Sequence, residues 1–430
     1  MSVRTERDSL GEMSLPDVPW GINTQRALEN FDLGNARVDL ELIRAVVLVK
    51  KAAAETYVNL GVKPDDYRRI AAACDEVLKG GMDGAFPLDA LQGGAGTSVN
   101  MNVNEVLARL AGGVHPLDDV NRGQSTNDVM PTALRIAAIK MLRELSDSCA
   151  KLQESLQKRE TEFAEIKKLG RTELMDAVPI TLGEEFGAYA QAIARDRWRL
   201  YKMEERLRQV NLGGTAVGLS DNAARKYRFQ VVENLRRLSQ MGLAPAEYPM
   251  DITQNNDVCA EVSGLLKALA VNLMKISNDI RLMASGPRGG FGELRLKALQ
   301  QGSTIMPGKV NPVIPEMAIQ CAIRVIANDT AITMAAAHGE FELNAFFPLI
   351  ADSLLESLRL MTRATAILRE KCVDVLEADA ETCARHLENS FAFATAYAEK
   401  LGYDAVARVV KEAKTPAEAR AALEKLSEQR

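Results

Sequence analysis

Histidine is scarce: the 430 residues hold only His115, His338 and His386. Any chemistry that needs an imidazole must use one of these, and a histidine-rich metal site is excluded. CxxC pairs are absent. The six cysteines, Cys74, Cys149, Cys259, Cys321, Cys372 and Cys383, stand far apart, which suggests neither a zinc site nor a disulfide framework and predicts reduced thiols in helices. No apolar run approaches the roughly 18 residues of a membrane span. The start, MSVRTERDSL, is polar where a secretory signal would carry an apolar core, so a cytoplasmic protein is expected. An excess of positive charge is missing too, because 53 Lys and Arg face 58 Asp and Glu for a net charge of −5. With the positives scattered, no nucleic-acid or anionic-membrane partner is implied. At 47% hydrophobic and 26% charged residues, the chain suits a soluble globular protein of two or three domains.

Helix breakers are missing over long stretches. Neither Gly nor Pro occurs in 132–169, 188–212 or 349–401, whereas both crowd into 80–97, 285–292 and 302–315. The spacing predicts very long helices; one over 132–169 would run about 57 Å at 1.5 Å per residue. Apolar positions recur at helical spacing, as in Ile319, Ile323 and Ile326 or Leu354, Leu358 and Met361, the pattern of packed bundle helices. Strand-like alternation is nearly absent, so the predicted fold class is all-α. Prolines punctuate the first part of the chain, and shorter helices rich in Ala, Glu, Lys and Arg follow residue 382. The expected division is an N-terminal domain over 1–126, a central long-helix bundle over 127–381 and a small C-terminal helical domain over 382–430.

Three segments carry unusual chemistry. The first is Gly302-Ser303-Thr304-Ile305-Met306-Pro307-Gly308-Lys309-Val310-Asn311-Pro312. Lys309 supplies a point charge for a carboxylate, Asn311 an amide donor, and backbone N–H groups near Gly302 an anion nest in which Ser303 would be stabilised as an alkoxide. The second is Gly96-Thr97-Ser98-Val99-Asn100-Met101-Asn102, and the third Gln124-Ser125-Thr126-Asn127-Asp128. Helix capping alone accounts for Ser125, Thr126 or Asn127 taken singly. Together, hydroxyls and amides bind a carboxylate without adding charge, which suits one whose negative charge grows during reaction.

GSTIMPGKVNP resembles the signature loop of the fumarase/aspartase superfamily of homotetrameric lyases. The resemblance extends through QGGAGTSVNMNVNEVLA, QSTNDVMPTA, GRTELMDAVPITLGEEF and SGPRGGFGEL. It implies a three-domain lyase fold whose long central bundle forms a twenty-helix core in a tetramer, with active sites shared by three subunits. It also implies that Ser303 is the base that removes the Cβ proton, on a loop that closes over substrate. Lys309 and Asn311 then hold the α-carboxylate; Thr97, Ser125, Thr126 and Thr304 surround the β-carboxylate, which becomes an aci-carboxylate; Asn127 and Thr172 lie near the leaving group and α-carboxylate. No cofactor and no metal are implied.

The motif Gly170-Arg171-Thr172-Glu173 departs from the family, which commonly carries histidine after that threonine. Either Glu173 pairs with a nearby Arg or Lys, or its carboxylate faces the leaving group, where it would attract an ammonium and repel an anion. Other positions are mixed. Asn328-Asp329-Thr330 through Met334-Ala335-Ala336 looks aspartase-like, whereas Gly213-Gly214-Thr215-Ala216-Val217-Gly218 and Gly339-Glu340-Phe341-Glu342-Leu343-Asn344 look fumarase-like. Leu219-Ser220 replaces the usual Thr-Gly, and His115 stands either as plain surface or at a second anion site of the fumarase type. The preferred reading is a cofactor-independent lyase that eliminates ammonia or an amine from aspartate or a close analogue. The alternatives are a class II fumarate hydratase acting on malate, and a non-catalytic structural tetramer of the same fold.

Overall fold

The computed structural model describes residues 3–34, 36–219 and 225–429; of the Leu219-Ser220 pair, Ser220 lies outside the described residues. The chain divides into two compact units, one of Met1–Ser146, Arg199–Ala268 and Arg324–Met361, the other of Asp147–Trp198, Leu269–Ile323 and Thr362–Arg430.

The first unit opens with a hairpin of β1 (Val3–Asp8) and β2 (Gly11–Pro16), then α1 (Ile22–Asn30), α2 (Leu40–Asn59), α3 (Pro64–Leu78) and α4 (Thr97–Ala111). The chain continues through α5 (Thr126–Glu162), a hairpin of β3 (Lys167–Thr172) and β4 (Met175–Thr181), α6 (Leu182–Leu207), β5 (Gln209–Val210), α7 (Arg225–Ser239) and β6 (Ala244–Pro245). Then come α8 (Pro249–Gln254), α9 (Asp257–Met283), β7 (Leu294–Arg295), α10 (Val313–Ala337), α11 (Phe347–Leu368), β8 (Glu377–Ala378) and the short helices α12 (Ala380–Glu388), α13 (Thr395–Leu401), α14 (Tyr403–Glu412) and α15 (Pro416–Glu428). Helix dominates, as an all-α chain requires, and the strands form only two-stranded sheets.

The 37-residue α5 spans about 55 Å at 1.5 Å per residue. Ala138, Leu142, Leu145, Cys149, Leu152 and Leu156 are all buried along it, a spacing that alternates four and three and marks a bundle helix. The helix ends before residue 169, however. The returning chain takes carbonyls just beyond the helix: Leu182 N donates to Ile166 O at 2.8 Å and Gly183 N to Phe163 O at 3.0 Å. Tertiary pairing thus starts a strand at Lys167, although no breaker residue stands between the end of α5 and Leu169. The N-terminal hairpin also runs against the expectation of little strand. Its VRTERD alternates in exposure without alternating in hydrophobicity, which hides the period from a hydropathy reading. All six cysteines are free, and each sits in a helical segment.

In the first unit α2 packs against α3, α4 and α7, burying Leu42, Ile43, Val46, Val47, Val49, Ala53 and Ala54. In the second, the C-terminal helices gather around Phe393, Leu401, Val406, Ala419 and Leu423. None of the described helices is long and apolar enough to cross a membrane.

Candidate active site

The candidate residues fall on both units. The first carries Thr97, Ser125, Thr126 and Asn127, and the second carries Thr172, Glu173, Ser303, Thr304, Lys309 and Asn311.

Thr97 opens α4 after Gly96, and its hydroxyl donates to Gly94 O at 2.7 Å. Ser125 precedes α5 and closes a capping box with Asp128: Asn127 N donates to Ser125 Oγ at 3.2 Å, and Ser125 N donates to Asp128 Oδ1 at 2.9 Å. Capping uses only an acceptor site of the Ser125 hydroxyl, so its proton remains free for a ligand. Asp128 is fully buried. Its other oxygen accepts from Gly213 N and Thr215 N, both at 3.0 Å, which fastens the turn to the GGTAVG segment. Burial pushes the Asp128 carboxyl up to about 6 against the pull of those backbone donors. Pro131 lacks the N–H that would reach the Asn127 carbonyl. Asn211 Nδ2 fills that role at 3.0 Å, and Asn127 Nδ2 donates to Ala216 O at 2.7 Å. Thr126 is buried, and its Oγ1 accepts from Asn100 Nδ2 at 3.3 Å. These bonds bring the second and third sequence segments together.

In the second unit, Thr172 closes β3 at the tip of its hairpin. Glu173 and Leu174 form the two-residue turn, both with positive φ, 54° and 64°. Left-handed backbone at two residues that are neither Gly nor Asn costs roughly 1–2 kcal/mol each, and such strain collects at functional sites. Glu173 is exposed and forms no ion pair among the described residues, so the Arg or Lys partner is not found there.

The loop after β7 is pinned at its neck. Gly302 N donates to Lys309 O at 3.1 Å, and Asn311 Nδ2 donates to Gly302 O at 2.8 Å. A Cβ at Gly302 would stand 2.3 Å from the Lys309 carbonyl oxygen, which only glycine allows. The Gly302 N–H is therefore engaged and makes no part of an anion nest. The nest lies three residues on: Ile305 N and Met306 N donate to Ser303 Oγ at 3.2 and 3.0 Å. Two N–H groups converging on one hydroxyl oxygen stabilise its alkoxide form. Thr304 and Lys309 are exposed, and Lys309 forms no ion pair among the described residues. No hydrogen bond among the described residues joins this loop to the Thr172–Glu173 tip.

Sequence reasoning missed the support behind that tip. Glu293, fully buried, pairs with Lys168 at 2.9 Å, Arg171 at 2.8 Å and His386 Nδ1 at 3.0 Å. The SGPRGGFGEL motif contains Glu293, but nothing in the motif announces a buried carboxylate. His115, by contrast, acts locally, with Nδ1 accepting from Leu117 N and Asp118 N at 3.3 and 3.1 Å.

A long-helix chain with a serine-bearing glycine loop and hydroxyl-rich helix starts matches a lyase family. The family described as Lyase matches residues 13–327. Aspartate ammonia-lyase of Bacillus sp is 42% identical over 96% of this chain and 91% of the relative. Fumarate hydratase class II of Neisseria meningitidis is also 42% identical, over 96% and 92%. Among solved structures, fumarate lyase:delta crystallin from Brucella melitensis bound to cobalt superposes with a TM-score of 0.94 at 43% identity, covering 98% of this chain and 96% of that one. Class II fumarase from Schistosoma mansoni gives 0.94 at 31%, with the same coverage. The chain belongs to the fumarase/aspartase superfamily of lyases.

Proposed function

We propose that the chain is a carbon–nitrogen lyase that converts aspartate or a close analogue to fumarate and ammonia without a cofactor. The observation that carries this is Ser303, whose oxygen receives two backbone N–H bonds on an exposed loop. In the reaction the Ser303 alkoxide takes the Cβ proton, and the C–H pair enters the β-carboxylate as an aci-carboxylate. That pair then forms the alkene as the C–N bond breaks, its electrons leaving with ammonia. Thr97, Ser125, Thr126 and Thr304 hold the β-carboxylate, Lys309 and Asn311 the α-carboxylate, and Asn127 and Thr172 lie near the leaving group. On the loop, Ile305 is 83% exposed and Val310 46%, apolar area that closure over a substrate would cover.

The second reading, hydration of fumarate to malate, is favoured by the Neisseria hydratase at equal identity. Following fumarate absorbance with aspartate and malate offered separately decides between them. Fumarate from aspartate alone is the expected result, and fumarate from malate alone overturns the proposal.

Glu173 is the residue read as selecting ammonium. Glu173→Gln should lower turnover of aspartate by about fivefold and tighten inhibition by fumarate, the scale of about 1 kcal/mol for one solvent-exposed charge–charge contact. Steady-state kinetics with fumarate as inhibitor check this, and unchanged constants on both counts would remove Glu173 from the site.

In this reading the site is completed by three chains of a homotetramer. Support comes from apolar side chains left exposed on the long helices, Val271 (51%) and Leu282 (41%) on α9, Ile323 (54%) and Met334 (61%) on α10. Each pair is eleven residues apart, so it lies on one face of its helix. Sedimentation equilibrium should return four chains; an active monomer would contradict the shared site.

A further inference from the structure

Lys50, on α2, is buried to 1% exposure. No carboxylate among the described residues pairs with its ammonium. It donates instead to Asn121 Oδ1 at 2.8 Å. That oxygen also accepts from Asn100 Nδ2 at 3.1 Å and Asn104 Nδ2 at 3.3 Å. Asn100 Nδ2 reaches Thr126 Oγ1 as well, at 3.3 Å. An ammonium taken out of water without a contacting anion is costly, and a chain retains such a group only where it does something.

The polarity of the relay is set by hydrogen-bond inventory. Lysine only donates, so Asn121 must present its oxygen to it. Asn121 Oδ1 in turn draws the Asn100 amide N–H, and that amide donates to the Thr126 oxygen. The Thr126 hydroxyl has one proton, which cannot point back at a donor and is left for an acceptor on its other side. We propose that Lys50 is a positioning residue that, through Asn121 and Asn100, fixes the Thr126 hydroxyl as a donor to a substrate carboxylate. This rests on the reading of Thr126 as a carboxylate-binding residue. Buried positive charge beneath the turn adds an attractive field for a dianion. The titratable groups facing Lys50 are Asp128 from α5 and the Cys74 thiol from α3. Burial lowers the ammonium to about 7 and raises both Asp128 and Cys74.

The test compares Lys50→Met, Lys50→Gln, Thr126→Val and the double variant Lys50→Met/Thr126→Val in the full chain. It reads steady-state kinetics on aspartate together with calorimetric binding of fumarate and succinate. Lys50→Met should raise KM and weaken dicarboxylate binding roughly ten- to hundredfold, the size of a charge-assisted hydrogen bond, and lower kcat as well, because Thr126 faces the carboxylate whose charge grows during the reaction. Lys50→Gln keeps an N–H donor and should recover part of the loss. The double variant should bind no worse than Thr126→Val alone, because both changes break one relay. KM and binding unchanged in Lys50→Met, or losses that add in the double variant, overturn the proposal. If Lys50→Met fails to fold, Asn121→Ala breaks the same relay and must show the same coupling to Thr126→Val. Wild-type protein that binds dicarboxylates but does not turn over aspartate overturns the ammonia-lyase reading alone. Wild-type protein that binds neither fumarate nor succinate overturns both.

Discussion

Replacing Ser303 with alanine is expected to lower turnover by roughly 10³-fold, within the range that general bases contribute, while fumarate binds as before. The hydroxyl carries no packing. It is a loop side chain whose only hydrogen bonds among the described residues come from Ile305 N and Met306 N, and water reaches both donors once it is gone, so the fold should stand. A serine hydroxyl is a poor base in water, so the proposed role requires those two N–H groups and the exclusion of water by a closed loop. The loss should therefore fall on kcat. Lys309→Ala should instead fall on KM, since a charge that holds a carboxylate acts in the ground state as well as in the transition state. Single-turnover kinetics with a direct measurement of fumarate affinity separate the two. Near-normal turnover in Ser303→Ala would remove the serine from its assigned role.

The contrast between Ser303 and Lys50 shows what a sequence discloses. Ser303 announced itself because glycines, prolines, a lysine and an amide crowd around it, and its neighbours in the chain are its neighbours in space. Which N–H groups near Gly302 form the nest is not legible in the chain, since Gly302 N turns to Lys309 O, a pairing that depends on how the neck of the loop closes. Lys50 is bonded to a residue 71 positions away, and no local pattern joins the two. A signal did exist: Val46, Val47, Ala53 and Ala54 lie three and four residues to either side of it, which sets a lysine in the middle of an apolar helical face. The long helices were legible from the missing breakers. Their ends were not, because α5 stops just before the carbonyls of Phe163 and Ile166, which the first residues of α6 take, rather than at any Gly or Pro.

Glu293 is the carboxylate whose removal should cost the most stability. It has no exposed surface and sits among two cations and an imidazole. Lys168 donates hydrogen bonds to Glu185 at 2.7 Å and to the Met283 sulfur at 3.5 Å, and its ion pair with Glu293 is a third contact inside the protein. Arg171 adds a cation–π contact, 4.3 Å above the Phe291 ring. Taking away the shared anion leaves Lys168 with Glu185 alone and Arg171 without its carboxylate, so Glu293→Ala should lose about 3–5 kcal/mol. Glu293→Gln, which keeps the shape and one acceptor, should lose less. Burial pushes the Glu293 carboxyl upward, yet Lys168, His386 and Arg171 outweigh it and hold the group below the ordinary glutamate range. A depressed folded value means the stabilisation is present above about pH 4.3, the unfolded glutamate value, and disappears as pH falls through the folded one. The stability gap between wild type and Glu293→Gln should therefore be widest near neutrality and close in acid. Denaturant unfolding of both at one protein concentration, across that pH range, reads it directly. The consequence reaches the chemistry, because Lys168 and Arg171 lie on β3, four residues and one residue before Thr172. The strained Glu173–Leu174 turn holds its shape only while the root of its hairpin is fixed, so turnover should fall in Glu293→Ala even where the protein remains folded. A Glu293→Ala protein as stable as wild type at neutral pH would show that the buried cluster is not what holds the hairpin.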